Sequence, residues 1–187
     1  MTIEWTGILL AGGESRRYGS PKAFAKRDGK AFYQYSLDAL KPLCSSIIVV
    51  TRPELLHLFD EAQGIGIMTD KETYKGQGPL AGIFTAMDEG DAEWYIVLPT
   101  DVPFIGEKIC RYLMEQIEPG VEAVVPVAAG REQPLIAVYH HTVKDVIEGQ
   151  LSSGKRSLRS LFTHINVKYV QMKEEEYFRN INRPEDL

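Results

Sequence analysis

Short β-branched and aliphatic runs alternate with amphipathic stretches along this chain, and that alternation leaves few architectures open to it. Thr6–Leu10 reads as a first strand, Ile47–Val50 as a second, Ile65–Met68 as a third and Trp94–Leu98 as a fourth. The unbroken Ile-Ile-Val-Val run at 47–50 lacks polar alternation, as expected of a parallel strand covered on both faces. Between these runs, Phe32–Leu43 carries Tyr33, Leu37 and Leu40 at helical spacing, and Glu54–Ala62 puts Leu55, Leu58 and Phe59 on one face. Pro79 opens a helix through Met87, proline being well suited to a first helical position. Glu107–Glu118 follows as a helix striped by Ile109, Leu113 and Ile117, then Ala123–Val127 and Leu135–Tyr139 as strands. Val143–Glu148 and Leu158–Phe162 read as helical, and Asn166–Met172 as a last strand before a polar tail. Repeated strand–helix units imply an α/β fold with a mainly parallel central sheet covered on both faces.

The 187 residues suffice for a single domain spanning 1–187, and no linker or repeat divides them. A content of 44% hydrophobic and 25% charged residues is that of an ordinary globular protein. The net charge of -5 argues against a general nucleic-acid binder, which needs a basic surface. The longest apolar runs are too short to cross a bilayer, and the start M-T-I-E-W-T-G carries no basic segment before an apolar one. The expectation is a cytoplasmic protein without a membrane partner. Cys44 and Cys110 stand in no metal or CxxC spacing and read as reduced, buried thiols.

Right-handed crossovers place the loops at the strands' carboxyl ends along one rim, where ligands of such sheets bind. The loop after the first strand, within Leu9–Lys22, reads L-L-A-G-G-E-S-R-R-Y-G-S-P-K. Its glycines permit sharp turns and close backbone approach, and successive exposed N–H groups make a concave anion site. Arg16, Arg17 and Lys22 add positive charge, so the loop is suited to phosphate. Thr51–Arg52 follows the second strand, Asp70–Gly82 the third and Pro99–Phe104 the fourth. Asp101, between two prolines, is either a turn cap or a hard-oxygen ligand for Mg²⁺, which takes one or two carboxylates plus substrate phosphates. Asp70 reads equally as a cap or as a contact to ribose, base or metal. Tyr74–Gly82 places three glycines and a proline before a helix, where backbone groups can meet a base or ribose.

Other chemistries fit poorly. The dinucleotide pattern G-x-G-x-x-G is absent from the first loop. Gly149–Lys155 nearly matches a Walker loop, but Arg156 replaces the Ser or Thr that holds Mg²⁺ and the preceding segment reads as helical. Lys155, Arg156 and Arg159 form a basic cluster that suits a second anionic substrate or a solvated face. His140 and His141, adjacent on a strand, should point in opposite directions. His57 and His164 have no evident acid or nucleophile partner, and no serine lies in a G-x-S-x-G setting.

The residues Leu10-Ala11-Gly12-Gly13-x-Ser15-Arg16-Arg17-x-Gly19-x-Pro21-Lys22 match the N-terminal signature of sugar-phosphate-type nucleotidyltransferases. Together with Gly78–Gly82, Asp101–Phe104 and Asn180-Ile181-Asn182-x-Pro184–Leu187, they resemble the molybdenum cofactor guanylyltransferases from end to end. The resemblance implies a Rossmann-like three-layer nucleotidyltransferase fold. It also implies an enzyme that joins GMP from GTP to the terminal phosphate of molybdenum-molybdopterin and releases pyrophosphate. Leu10, Ala11, Gly12 and Gly13 would contact the guanine nucleotide, Lys22 would neutralise its phosphates, Asp70 would lie at the nucleotide and Asp101 would hold Mg²⁺. Thr51–Arg52 aligns with a segment that holds an asparagine near the nucleotide in some members, so that contact is missing here. Thr100 and Val102 replace the usual neighbours of the metal aspartate. Asn180 and Asn182, with Arg131–Pro134 and Lys155–Arg159, would face the pterin, so that the N-terminal half is the GTP and Mg²⁺ side. Transient contacts with other cofactor-biosynthesis proteins and acceptor enzymes also follow from the resemblance.

The residues are consistent with that chemistry in their own right. Nucleotidyl transfer needs positioning and charge stabilisation more than covalent help. A phosphate monoester is already largely ionised at neutral pH, so no general base is required. Arg16 and Lys22 would then offset charge on the leaving pyrophosphate beside Asp101. Two other readings remain at this point: a cytidylyltransferase or other NTP transferase of the same fold, and a non-catalytic cofactor-binding module.

Overall fold

Along each strand successive side chains point to opposite faces, and this chain uses that rule to build its core in two slabs. The computed structural model describes residues 3–13, 19–60 and 63–186. Its strands are β1 (Trp5–Leu10), β2 (Lys26–Arg27), β3 (Lys30–Ala31), β4 (Ser46–Thr51), β5 (Ile65–Thr69), β6 (Trp94–Pro99), β7 (Ala123–Ala128), β8 (Arg131–Glu132), β9 (Ala137–His140) and β10 (Val167–Gln171). The α-helices are α1 (Phe32–Leu40), α2 (Pro79–Glu89), α3 (Glu107–Met114), α4 (Val143–Ser152) and α5 (Leu158–Phe162). The main sheet runs β10-β7-β9-β6-β1-β4-β5, with β8 paired to β7. Leu9, Val49, Leu98 and Val138 face α1 and α3, while Ile8, Ile48, Val97 and Tyr139 face α2 and α4. The result is the expected α/β arrangement of three layers.

The pairings β1–β4, β1–β6, β4–β5 and β7–β10 are parallel. β9 runs antiparallel between β6 and β7, so the sheet is mainly parallel with one reversed strand in its interior. No helix among the described residues is long and apolar enough to cross a membrane.

Several elements end earlier than periodicity suggests. The first helix stops at Leu40 instead of Leu43, because Pro42 has no N–H to continue the ladder. α3 stops at Met114 instead of Glu118, ahead of Pro119 and the left-handed Gly120. The Glu54–Ala62 helix is instead a 3₁₀ segment, Pro53–Leu58, followed by an extended Phe59; residues 61–62 lie outside the described residues. Phe59 leaves the helical path to pack its ring 4.8 Å from Phe24 and 5.0 Å from Tyr33. The strand expected from Leu135 begins at Ala137, after the turn in which Ile136 N–H donates to Gln133 O. The fourth helix runs on to Ser152, so the near-Walker segment starts inside a helix with no strand before it. Because β9 ends at His140, His141 turns back and the two imidazoles touch at 4.3 Å instead of diverging.

Both cysteines are free, and burial pushes each thiol up to about 12. Cys110 is fully enclosed, Cys44 less so.

The tail differs most from expectation. It contains two 3₁₀ turns, Glu175–Phe178 and Pro184–Asp186, and buries Phe178 and Ile181. Ile181 is 0% exposed and packs with Ala25, Phe32 and Phe104. Its backbone N–H donates to the Asp101 carbonyl at 2.8 Å. Surrounding charged residues conceal these anchors from a hydropathy reading. Ile181→Ala removes a fully enclosed side chain and should cost about 2–5 kcal/mol of stability, read as a lower urea midpoint with an unchanged slope.

Candidate nucleotide site

The parallel register brings four strand ends to one level: Leu10 is paired with Val50 and with Pro99, and Val50 with Met68. The loops that follow enclose a cavity of about 640 Å³. Leu10, Ala11, Gly12 and Gly13 form one wall, and Lys22, Asp70 and Asp101 also line it. Seven of the residues expected at the site therefore share one cavity. Arg16, with Ser15 and Arg17, lies outside the described residues.

The Ala11 wall is held by its neighbour strand. Ala11 N–H donates to Val50 O at 2.8 Å, and Thr51 Oγ1 donates to Ala11 O at 3.2 Å. The opposite wall is the turn into α2. Gly78 adopts φ +81 and ψ -165, a conformation open in practice only to glycine. Gly82 lies so close to β1 that an added Cβ would stand 2.9 Å from Leu10 Cδ2 and 3.6 Å from Asp70 Oδ1. Tyr74 anchors the preceding loop, donating or accepting a 2.9 Å bond with Ser152 and meeting Phe84 edge-on at 5.2 Å.

Asp70 leaves β5 half-buried and accepts a hydrogen bond from the Gly76 backbone N–H. Burial raises its carboxyl above the usual carboxylate range, and the Gly76 bond only partly opposes this. Lys22 and Asp101 make the second polar centre. Lys22 Nζ is 3.6 Å from Asp101 Oδ2 and donates to Asn182 Oδ1 at 3.0 Å. Asn182 thus reaches the site through Lys22, although it does not line the cavity. Asp186 shapes this turn by accepting from the backbone N–H groups of Asn182 and Arg183 at 2.8 and 2.9 Å. Asn180 is exposed and lies outside the lining.

On the expected pterin side, Leu135 reaches the cavity. Arg131, Lys155, Arg156 and Arg159 are exposed, and Arg159 Nε lies 3.9 Å from Glu132 Oε2. Arg52, Glu54 and Lys75 also line the cavity and were not singled out by residue type. The signal for two of them is position: Arg52 follows a buried strand, and Lys75 precedes the glycine-rich turn.

Among the described residues, no group of three or more His, Cys, Asp or Glu side chains is assembled to hold a metal. A lone carboxylate such as Asp101 suits only a hard cation that draws its remaining ligands from phosphate and water.

The raised Asp70 carboxyl has a consequence for stability. A group whose folded pKa exceeds its unfolded value stabilises fully below the unfolded pKa, and that contribution is lost as pH rises through the folded one. Asp70→Asn should therefore raise the thermal midpoint at pH 7, with the advantage shrinking toward zero as pH falls below the ordinary carboxylate range. Thermal melts across that pH range measure it.

A family model for the MobA-like NTP transferase domain matches residues 7–171. A protein of Geobacillus sp. (strain WCH70), named a probable molybdenum cofactor guanylyltransferase, is 39% identical over 97% of this chain and 95% of its own. One of the same name from Halalkalibacterium halodurans is 40% identical over 99% and 96%. The crystal structure of molybdopterin-guanine dinucleotide biosynthesis protein A from Archaeoglobus fulgidus superposes with a TM-score of 0.80 at 26% identity, covering 97% of this chain and 94% of that one. A 4-diphosphocytidyl-2C-methyl-D-erythritol synthase from Anaerococcus prevotii shares the fold, with a TM-score of 0.76 at 15% identity over 98% and 92%. With a domain match over most of its length and full-length relatives at 39–40% identity, this chain belongs to the MobA-like NTP transferase family.

Proposed function

We infer that this chain is a molybdenum cofactor guanylyltransferase. It transfers GMP from GTP to the terminal phosphate of molybdenum-molybdopterin, forming the guanine dinucleotide cofactor and pyrophosphate. The observation that carries this reading is the cavity at the strand ends. It has a backbone wall at Leu10–Gly13 and a Lys22–Asp101 pair beyond the end of β6. The names of the full-length relatives support the choice of substrates.

Leu10, Ala11, Gly12 and Gly13 hold the guanine nucleotide against their backbone, and Asp70 contacts it from β5. Lys22, with Arg16, neutralises phosphate charge as pyrophosphate departs. A lysine beside an aspartate is pre-positioned for this role, because stabilisation by a fixed charge needs no reorganisation during the reaction. Asp101 is the residue that would hold Mg²⁺, and the ion would supply positive charge to the phosphate oxygens. The accepting phosphate is anionic already, so no side chain need take a proton from it. The molybdopterin is met by the C-terminal half, with Asn180 and Asn182, Arg131–Pro134 and Lys155–Arg159. The whole chain, 1–187, then acts as one domain, in the cytoplasm, with transient contacts to other cofactor-biosynthesis proteins and acceptor enzymes.

Pyrophosphate release, measured with each nucleoside triphosphate and with or without molybdenum-molybdopterin, tests the reading. Release should require both GTP and the pterin. Turnover with CTP instead would establish the cytidylyltransferase alternative, and binding without release a non-catalytic module. Asp101→Ala keeps the backbone carbonyl that Ile181 uses, so it should fold normally while losing roughly 10²–10³-fold in kcat. Near wild-type turnover would remove Asp101 from the site. Lys22→Ala should both raise the KM for GTP and lower kcat in the same assay.

A further inference from the structure

Arg52 carries an unspent hydrogen-bonding group at the cavity. It follows β4 directly and lines the pocket beside the Leu10–Gly13 wall. A Cβ on Gly12 would stand 3.8 Å from its Cγ, so the side chain lies along that wall. Its Nη1 is 3.0 Å from Glu54 Oε1, but its Nε is shut off from water and finds no hydrogen-bond acceptor. A buried N–H without an acceptor is costly, and in a native protein it calls for an explanation in strain, function or a bound group. Glu54 does not fill that need. Its side chain is 60% exposed, and ion pairs this open hold little.

Sheet order indicates which part of a nucleotide would meet Arg52. Lys22 and Asp101 stand at the end of β6, and Arg52 at the end of β4, with β1 between them. Adjacent strands lie about 4.8 Å apart, so these ends are roughly 10 Å apart. Asp70 follows β5, one strand further on. Arg52 therefore sits on the side of the cavity away from the phosphate-directed charges. A guanidinium presents parallel N–H donors that suit an edge with two neighbouring acceptors. Guanine offers that edge in O6 and N7, whereas adenine puts an N6 donor beside N7 and opposes the guanidinium.

We propose that Arg52 is a specificity-determining contact: its guanidinium leaves Glu54 and turns the fork formed by its Nε–H and a parallel Nη–H onto the O6 and N7 edge of the guanine base. The proposal rests on the reading of the cavity as a guanine-nucleotide site. It gives a partner to an N–H that the fold itself leaves unpaired.

The test measures dissociation constants of GMP, GDP, GTP, IDP and ADP for wild type, Arg52→Ala and Arg52→Lys, without the pterin. Arg52→Ala should weaken GMP, GDP, GTP and IDP by one common factor of roughly 10- to 100-fold. IDP belongs to this group because inosine keeps O6 and N7. ADP affinity should not change, so the preference for GDP over ADP collapses. Arg52→Lys keeps the charge and stem but not the fork, and should recover only part of the preference. This variant also gives the answer should Arg52→Ala unfold. A loss shared by ADP, or one growing from GMP to GDP to GTP, would make Arg52 a phosphate contact and overturn the proposal. Unchanged GDP binding in both variants would overturn it as well. Wild-type protein that binds CDP in preference to GDP would instead reject the guanylyltransferase reading, and this proposal with it. Guanine-selective binding with no pterin-dependent pyrophosphate release would reject only the transfer.

Discussion

Everything at the site depends on the parallel alignment of β6, β1, β4 and β5. Parallel strands in register end at the same level, and their crossovers return along the faces, leaving the carboxyl rim to loops. Each loop contributes from a short stretch beside its strand end: Leu10–Gly13 at β1, Arg52 after β4, Asp70 after β5 and Asp101 after β6. The core on both sides of these strands is closed by side chains of alternating direction, so the strand ends are held from above and below. A residue at such an end has little freedom to drift, which suits a reaction that depends on position more than on reactive side chains.

The C-terminal segment completes the arrangement from outside the sheet. Ile181 plugs a small apolar pocket and donates its N–H to the Asp101 carbonyl, so one short stretch fixes both the packing and the Asp101 loop. One residue later Asn182 accepts from Lys22, and Asp186 caps the turn that makes this reach possible. Phe104, in the same pocket, is flanked by the Arg27 and Arg179 guanidiniums at 4.5 and 4.9 Å. The C-terminal segment thus braces Lys22 and the Asp101 loop without itself lining the cavity.

Much of the fold was legible in one dimension. The Ile47–Val50 run and the Pro79 helix start each carry their signal within a few residues, because burial on both faces and proline's fixed geometry are local constraints. What the periodicity misjudged was where segments stop. Phe59 has the spacing of a helical face, but its contacts with Phe24 and Tyr33 pull it into extended backbone. The imidazoles of His140 and His141 meet because the strand ends between them. Neither outcome can be read from spacing, since each is settled by residues distant in the chain.

The same division runs through the candidate site. The glycine pair at 12–13, Lys22, Asp70 and Asp101 could be picked out by residue type and by place after a strand, since phosphate and a hard cation ask for those chemical groups. By itself, then, the sequence determined the fold class, the family and the rim on which a ligand would sit. Only the tertiary structure decided the pairings that act there: Lys22 between Asp101 and Asn182, Asp70 under Gly76, and Arg52 with an N–H left over. The reason is physical. Propensity and pattern are properties of neighbours along the chain, whereas a buried hydrogen bond or charge pair exists only when distant segments are brought within a few ångströms of one another.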